Sequence, residues 1–514
     1  LSTNEPSATT AGALAAATPN ARLVGDAHVT VRGLAYDSRL VEPGWCFAAL
    51  PGADADGHDF APEAVRRGAT VLLTERELPL PVAQIVAPDS RAALAPLAAV
   101  FYRHPSREVG VIGITGTDGK TTTSFLVDGI LRRSGQTTGL IGTVAIRVGD
   151  AEDRHASRQT TPESADIQRL LRRMAERGVR WATLEATSHG LAMHRLDGVR
   201  FRIGAVTNIT SEHLDFHGTV ERYWRAKAIL FERVAEAGGI AVVNADDDGA
   251  RAMLPFAAGA ETISFTMADE PAALRAVDIR SDGSGSRFRL ETDGWGTAEV
   301  SLPMIGPFNI ANALCAAGVC LAAGLGLDEV ADGLAHPPAV PGRMALIDEG
   351  QPFAVVVDYA HTPDAMEKVL RLLRGLYPGR LIVVFGSAGE RDAEKRPRQG
   401  AVAARLADIA VVTSEDPRHE DADAIIDQIA QGAVAAGAVA GKTLFQETER
   451  RDAVALALGM ARPGDCVLLA GKGHEGSIIW GREKRPWDEA GVAGDILHDL
   501  GFVAANRREN SPRR

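Results

Sequence analysis

Gly113-Ile114-Thr115-Gly116-Thr117-Asp118-Gly119-Lys120-Thr121-Thr122-Thr123 stands between two apolar segments of different period. Upstream, Glu108 to Ile112 is short and β-branched and reads as a buried strand. Downstream, Thr121 to Arg133 places Phe125, Leu126, Ile130 and Leu131 on one side of a helix. Strand, glycine-rich turn, Lys-Thr and helix is the arrangement that cradles phosphate. Glycines let backbone N–H groups close around the anion, and the helix N-terminus adds positive potential. Lys120 is placed to reach the outer phosphates and Thr121 to hold Mg²⁺. Ile114 stands where the strict G-x-x-x-x-G-K-[ST] pattern has its first glycine. The plainer alternative is a turn that only joins a strand to a helix. The Gly-Lys-Thr-Thr-Thr run favours nucleotide binding, with Gly116, Thr117, Asp118, Gly119, Lys120, Thr121 and Thr122 as its contacts.

Working outward, 514 residues suggest about three domains. A chain 45% hydrophobic but only 5% aromatic, rich in Ala and Gly, suits an α/β enzyme. The formal charge of -12 argues against nucleic acid as the main partner, though not against an anionic small molecule. Cys46, Cys315, Cys320 and Cys466 have no metal-binding spacing and read as buried or free thiols. The first residues lack the basic start and Leu-rich core of a signal peptide, and no run is long and apolar enough to span a bilayer. A cytoplasmic, monomeric enzyme without membrane insertion is expected, with disordered tails over 1–21 and 506–514.

Apolar runs ending in polar residues recur from residue 22 onward, with helical patterns between them. They give an α/β fold of three domains. A small N-terminal α/β domain spans 22–107. A central parallel-sheet domain around the phosphate loop spans 108–341, and its Val277–Leu302 stretch reads as an antiparallel meander. A C-terminal Rossmann-like domain spans 342–505. Ligands of open α/β sheets bind beyond the carboxyl ends of the strands. The tips Gly116–Thr121, Glu185–His189, Asn208–His213, Asp358–His361, Gly386–Arg391, Glu415–Arg418 and Gly471–Glu475 are therefore the candidate site, and suggest a cleft between two domains.

Glu185 ends a strand, and a carboxylate there suits a Mg²⁺ that bridges ATP phosphates. An ordinary turn-capping Glu is the alternative. His213 reads as a metal ligand, a phosphate contact or a surface residue. His213 and His217 are spaced like a zinc pair, but no H-E-x-x-H surrounds them. Asn309 and Asn312 lie three apart at a helix start and suit either an adenine ring or N-capping. No Ser-His-Asp or Cys-His pairing stands out, so the expected chemistry is phosphoryl transfer governed by position and charge rather than a protein nucleophile.

GTDGKTTT, EATSHG, SEHLDFHG, GPFNIANAL, VPGRM, VVDYAHTPDAMEK, FGSAGERDAEKRP, EDPR and AGKGHE follow one another along the chain. In that order they resemble the Mur ligases, and among them the branch that adds a diamino acid to UDP-N-acetylmuramoyl-L-Ala-D-Glu in peptidoglycan biosynthesis. The resemblance implies UDP-, ATP- and amino-acid-binding domains, ATP with Mg²⁺, and an acyl phosphate attacked by an amine. It implies uridine contacts at Tyr36, Ser38, Ala53, Asp54 and Ala55, and muramoyl-peptide contacts at Thr160, Thr161, Thr187 and Arg195. It implies ATP contacts at Asn309, Asn312, Arg343 and His361. An amino-acid pocket is implied at Arg391, Glu415, Asp416, Pro417, Arg418, Gly471 and Glu475. Lys120, Glu185, His213 and Lys227 become the catalytic set, with Thr121, Glu185, His213 and carbamylated Lys227 around metal. Without the resemblance, Lys227 reads as a solvated helix residue. Departures from the family pattern are Asp118 for Asn, Gln159 for Asn, Met193 for Gln, a less glycine-rich loop at Ser387–Glu390, and Glu415-Asp416 for Asp-Asn. Arg418 favours meso-diaminopimelate slightly over L-lysine or L-ornithine, while Asp416 argues the other way. The rival readings are another ligase of the superfamily, such as folylpolyglutamate synthase, and a non-catalytic ATP-binding module.

Overall fold

The structure, a computed structural model, describes residues 9–52, 55–154 and 159–503. Ala53 and Asp54 of the expected uridine loop and the expected tail over 506–514 lie outside the described residues. The chain divides into two compact units. The first comprises Leu1–Arg280, Arg287–Leu302 and Pro307–Pro338. The second comprises Ala339–Arg514 with Ser281–Ser286 and Pro303–Gly306.

The first unit holds two main sheets. In the smaller, the strands lie in the order Arg22–Val24, Ala83–Val86, Val71–Thr74, Trp45–Ala48 and Gly33–Ala35. The first pairs antiparallel and the rest parallel. Leu94, Leu97 and Phe101 of helix Ser90–Phe101 join Val71, Leu73 and Ile85 in its core. Asp89 caps that helix by accepting from the N–H groups of Arg91 and Ala92, both at 2.9 Å.

The N-terminal tail ends earlier than its composition suggests. Thr9–Thr10 pairs with Thr30–Val31, and Ala11–Ala16 is a helix. Thr10 caps it, accepting from Ala13 N at 3.2 Å, and Ala11 and Leu14 are fully buried. One cap and two buried apolar side chains order a stretch whose Ala- and Thr-rich composition resembles a tail.

The larger sheet has eleven strands. From one edge they are Ala151–Arg154, Ala145–Val148, Thr138–Ile141, Trp181–Glu185, Gly110–Thr115, Phe201–Val206, Ile240–Asn244, Glu261–Thr266, Leu274–Asp282, Gly285–Thr292 and Gly296–Leu302. Gly110–Thr115 is buried throughout and pairs in parallel with Trp181–Glu185 and Phe201–Val206. Buried on both faces, it reads as an uninterrupted apolar run rather than an alternating one. The last three strands are joined by connections too short for a crossover, which makes them the expected meander.

The second unit carries a six-stranded sheet ordered Ala345–Ile347, Ala354–Asp358, Cys466–Ala470, Leu381–Phe385, Ile409–Val412 and Leu444–Gln446. Only the first strand is antiparallel. Helices Pro363–Leu376, Lys395–Leu406 and Ala422–Ala435 supply one side of its core, and Arg450–Met460 and Glu489–Asp499 the other. All four cysteines are buried and free. Among the described residues no helix is long and apolar enough to cross a membrane.

Candidate active site

The loop after Gly110–Thr115 is built by its glycines. Gly119 has φ +84°, and a Cβ there would meet Asn312 Oδ1 at 2.3 Å. A Cβ on Gly116 would meet Thr207 Oγ1 at 2.0 Å. The loop is held from below: Asp118 N donates to Asn208 Oδ1 at 3.0 Å, Thr117 N to Asn208 O at 2.8 Å, and Thr207 Oγ1 to Asp118 O at 2.6 Å. Helix Lys120–Arg133 starts at once after Gly119, with no side-chain cap on its free N–H groups. Lys120 Nζ arches back and donates to the carbonyls of Gly116 at 2.9 Å and Thr117 at 2.8 Å.

Glu185 is buried at the end of the neighbouring strand. Its Oε2 accepts from Thr121 Oγ1 at 3.0 Å and Thr143 Oγ1 at 2.8 Å, and its Oε1 from Thr143 N at 3.0 Å. Thr143 Oγ1 also lies 2.9 Å from Thr160 Oγ1. Thr161 Oγ1 donates to Glu185 O at 2.8 Å and sits 2.8 Å from Thr187 Oγ1. Arg195 Nη1 donates to Thr161 O at 3.1 Å. Thr121, Glu185, Thr143, Thr160, Thr161, Thr187 and Arg195 thus form one polar cluster, beginning one residue after Lys120. Hard oxygen donors at the phosphate loop fit Mg²⁺, which is held by one or two carboxylates together with substrate phosphates.

Lys227 is not solvated. Helix Val220–Glu236 buries Tyr223, Ala226, Lys227, Leu230, Phe231 and Val234 along one stripe, and Lys227 is 1% exposed. Its Nζ donates to Gly116 O at 2.7 Å and lies 4.8 Å from the centre of the Tyr223 ring. Burial, with the neighbouring Lys120 charge, holds its amine well below the usual lysine range. The His213 ring lies 4.6 Å from that of His189, which stacks on Phe216 at 4.2 Å. Burial, then the His213 and His217 charges, lower His189 to about 4. Among the described residues no group of three or more His, Cys, Asp or Glu side chains forms a metal-binding cluster.

Asn309 and Asn312 are not N-caps. They lie inside helix Pro307–Ala322, both buried, with Asn312 Nδ2 donating to Asn309 Oδ1 at 3.2 Å. Tyr36 reaches across to helix Ser164–Glu176, donating to Asp166 Oδ2 at 2.6 Å. Ser38 is buried beside it at the start of a short 3₁₀ turn.

In the second unit, the Arg343 guanidinium lies 4.6 Å from the centre of the Tyr359 ring, and the His361 and His474 rings lie 4.7 and 4.9 Å from it. Asp416 is buried, and its Oδ1 accepts from Lys472 Nζ at 3.0 Å and Ile479 N at 2.9 Å. Lys472 also donates to Glu475 Oε2 at 2.5 Å. Arg418 faces Glu390 at 3.9 Å. Glu415 is buried with Oε2 lacking a hydrogen-bond partner, and a Cβ on Gly471 would lie 3.1 Å from that oxygen. Arg391 is exposed.

Three family models match in chain order. They are the Mur ligase family catalytic domain over 30–104, the Mur ligase middle domain over 114–320, and the Mur ligase glutamate ligase domain over 342–473. The chain belongs to the Mur ligase family. It is an ATP-dependent, ADP-forming ligase. A UDP-N-acetylmuramyl-tripeptide synthetase of Roseiflexus sp. is 49% identical, covering 92% of this chain and 95% of the relative. A UDP-N-acetylmuramoyl-L-alanyl-D-glutamate–2,6-diaminopimelate ligase of Streptomyces avermitilis is 43% identical over 96% of each chain. A solved structure of a ligase of that name superposes with a TM-score of 0.66 at 30% identity, covering 93% of this chain and 97% of the other. A folylpolyglutamate synthase from Mycobacterium tuberculosis, at 18% identity and a TM-score of 0.59, shares the fold alone, covering 81% and 96%.

Sequence reasoning missed Thr143 in this Mur ligase, and it placed Tyr359 and Lys472 in candidate strand tips without giving either a role. Thr143 follows strand Thr138–Ile141 by two residues and was findable as one more strand tip. Lys472 lies inside the GKGHE motif, but its pairing with Asp416 is a long-range contact with no local signal.

Proposed function

We propose that this Mur ligase joins meso-diaminopimelate to UDP-N-acetylmuramoyl-L-Ala-D-Glu, the third-residue step of peptidoglycan stem-peptide synthesis. The observation that carries the reading is the hydrogen-bonded chain Thr121–Glu185–Thr143–Thr160, which ties the phosphate loop to the residues expected to hold the muramoyl peptide. A carboxylate held at Thr160, Thr161 and Arg195 would stand beside the outer phosphate of ATP in the loop. Its oxygen attacks the γ-phosphorus, the bond to the β-phosphate oxygen breaks, and ADP leaves. The amine nitrogen then attacks the acyl carbon, loses a proton, and phosphate departs from the tetrahedral intermediate.

Lys120 and the free N–H groups of its helix supply fixed positive charge where negative charge builds up. Thr121, Glu185, His213 and Lys227 as a carbamate would hold Mg²⁺. When bound, the ion neutralises phosphate charge. The lowered pKa of Lys227 supports carbamylation, because only the neutral amine attacks CO₂. A cytoplasmic setting accords with nucleotide substrates.

For the amino acid, the pairing of Asp416 with Lys472, an ammonium shared with Glu475, weakens the objection its charge raised. Arg418, held by backbone bonds from its N–H to Ile479 O at 3.0 Å and from Gly481 N to its carbonyl at 2.6 Å, can grip a distal carboxylate through two parallel bonds. The test is ADP release by the full chain with UDP-N-acetylmuramoyl-L-Ala-D-Glu and a panel of diamino acids. Diaminopimelate should give the highest kcat/KM. Preference for lysine or ornithine would overturn the amino-acid choice, and turnover with folates instead would overturn the whole reading.

A further inference from the structure

Arg450 and Glu489 form an ion pair whose side chains are both inaccessible to solvent. Arg450 is the first residue of helix Arg450–Met460, the end at which a cation opposes the helix dipole. A buried ion pair is seldom worth more to stability than apolar residues of similar volume. Stability alone therefore gives a poor account of a guanidinium in this place.

The contacts give a better one. Arg450 Nη2 donates to Ala470 O at 2.8 Å, and Nη1 to Ser414 O at 3.3 Å. Nε and Nη2 both bond the Glu489 carboxylate, at 2.9 and 2.7 Å, and Trp487 Nε1 donates to its Oε2 at 2.5 Å. Trp487 N in turn donates to Gly476 O at 3.0 Å. Ala470 ends one strand, and Ser414 lies just past the end of another. Leu381–Phe385 runs between those strands, so their tips stand roughly 10 Å apart, two strand spacings. The next residues along the chain are Gly471 and Glu415, where the two halves of the expected amino-acid pocket begin. One guanidinium thus spans both halves, and Glu489 ties it to the segment that closes behind Glu475.

We infer that Arg450 and Glu489 are positioning residues that fix the spacing of the Glu415–Arg418 and Gly471–Glu475 loops for the incoming amino acid. The inference rests on the amino-acid pocket proposed above. Arg450 does not touch substrate; it sets where the loops that do so stand.

The experiment separates the two halves of the reaction in the full-length enzyme. Hydroxylamine traps the acyl phosphate as a hydroxamate without any diamino acid, while ligation needs the pocket. R450K, which keeps the charge but loses the fork, should form hydroxamate at a rate within about twofold of wild type. Its KM for diaminopimelate should rise about tenfold or more, the scale of a misplaced reactant, with the KM for ATP unchanged. The double variant R450M/E489L should recover a wild-type melting temperature without recovering that KM. E489Q, which keeps the shape of the pair, should fall between. A double variant that recovers both, or an R450K that raises every KM alike, would make the pair merely structural and overturn the inference. A wild-type enzyme that forms hydroxamate but accepts no diamino acid would remove the pocket reading, and this inference with it.

Discussion

At position 227 an amine lies beneath the phosphate loop, where burial and the Lys120 charge both oppose a proton on it. A side chain so placed is poised for modification rather than for solvent. Lys227→Ala should lose ligation at ordinary Mg²⁺, and added short carboxylic acids should restore part of it. A mass measurement or high-resolution map showing a bare ammonium in the active enzyme would contradict the carbamate. Lys120→Ala should keep the fold and lose about 10²-fold or more in rate, the scale for removing one charge-stabilising donor. Near-normal turnover would remove the phosphate-loop assignment. Lys120 was legible in the sequence because it follows a glycine-rich turn at a helix start, and Glu185 because it ends a strand. The burial of Lys227 was hidden because a lone lysine in a helix is read by its type. The apolar stripe of Tyr223, Ala226, Leu230 and Val234, which passes through it, was present in the sequence all along.

Among the elements, the turn from strand Gly110–Thr115 into helix Lys120–Arg133 is the least tolerant of change. Gly119→Ala would force φ +84° on an alanine and drive its Cβ into Asn312. It should cost about 1–2 kcal/mol in left-handed backbone strain and weaken ATP binding besides, read by denaturant titration and nucleotide affinity. The loop Glu415–Arg418 makes the second test. Arg418→Ala should cost about 1.5–3 kcal/mol in kcat/KM with diaminopimelate, the scale of a hydrogen bond to a charged group, and little with lysine. Equal losses with both would show that Arg418 does not read the distal carboxylate. The ends of strands such as Trp181–Glu185 and Cys466–Ala470, at Glu185 and just before Gly471, were legible because both faces are buried and the apolar run stops sharply. The first helix was missed because two buried side chains, not its composition, hold it in place. The partner of Asp416 was missed because Lys472 lies 56 residues away.

Across the molecule, the expected contacts fall in both compact units. The phosphate loop and muramoyl-peptide residues lie in the first, Arg343, His361 and the amino-acid pocket in the second. Acid should act on both. Burial, then the Arg343 charge, lower His474 in the second unit to about 3. Its folded pKa lies below the unfolded value, so the unfolded chain takes the proton first. The stability this group contributes above pH 6.5 is lost as pH falls from there to about 3. His474→Asn should therefore melt less steeply with acid over that window, as followed by melting temperature against pH, and parallel curves would refute the assignment. The most direct test of the account is ADP release by the full chain with ATP, Mg²⁺, UDP-N-acetylmuramoyl-L-Ala-D-Glu and meso-diaminopimelate, with each component omitted in turn. The account predicts release that requires both cosubstrates and yields the UDP-muramoyl tripeptide, identified by mass spectrometry, in equimolar amount. ADP release indifferent to the UDP-substrate, or none with all components present, would contradict it.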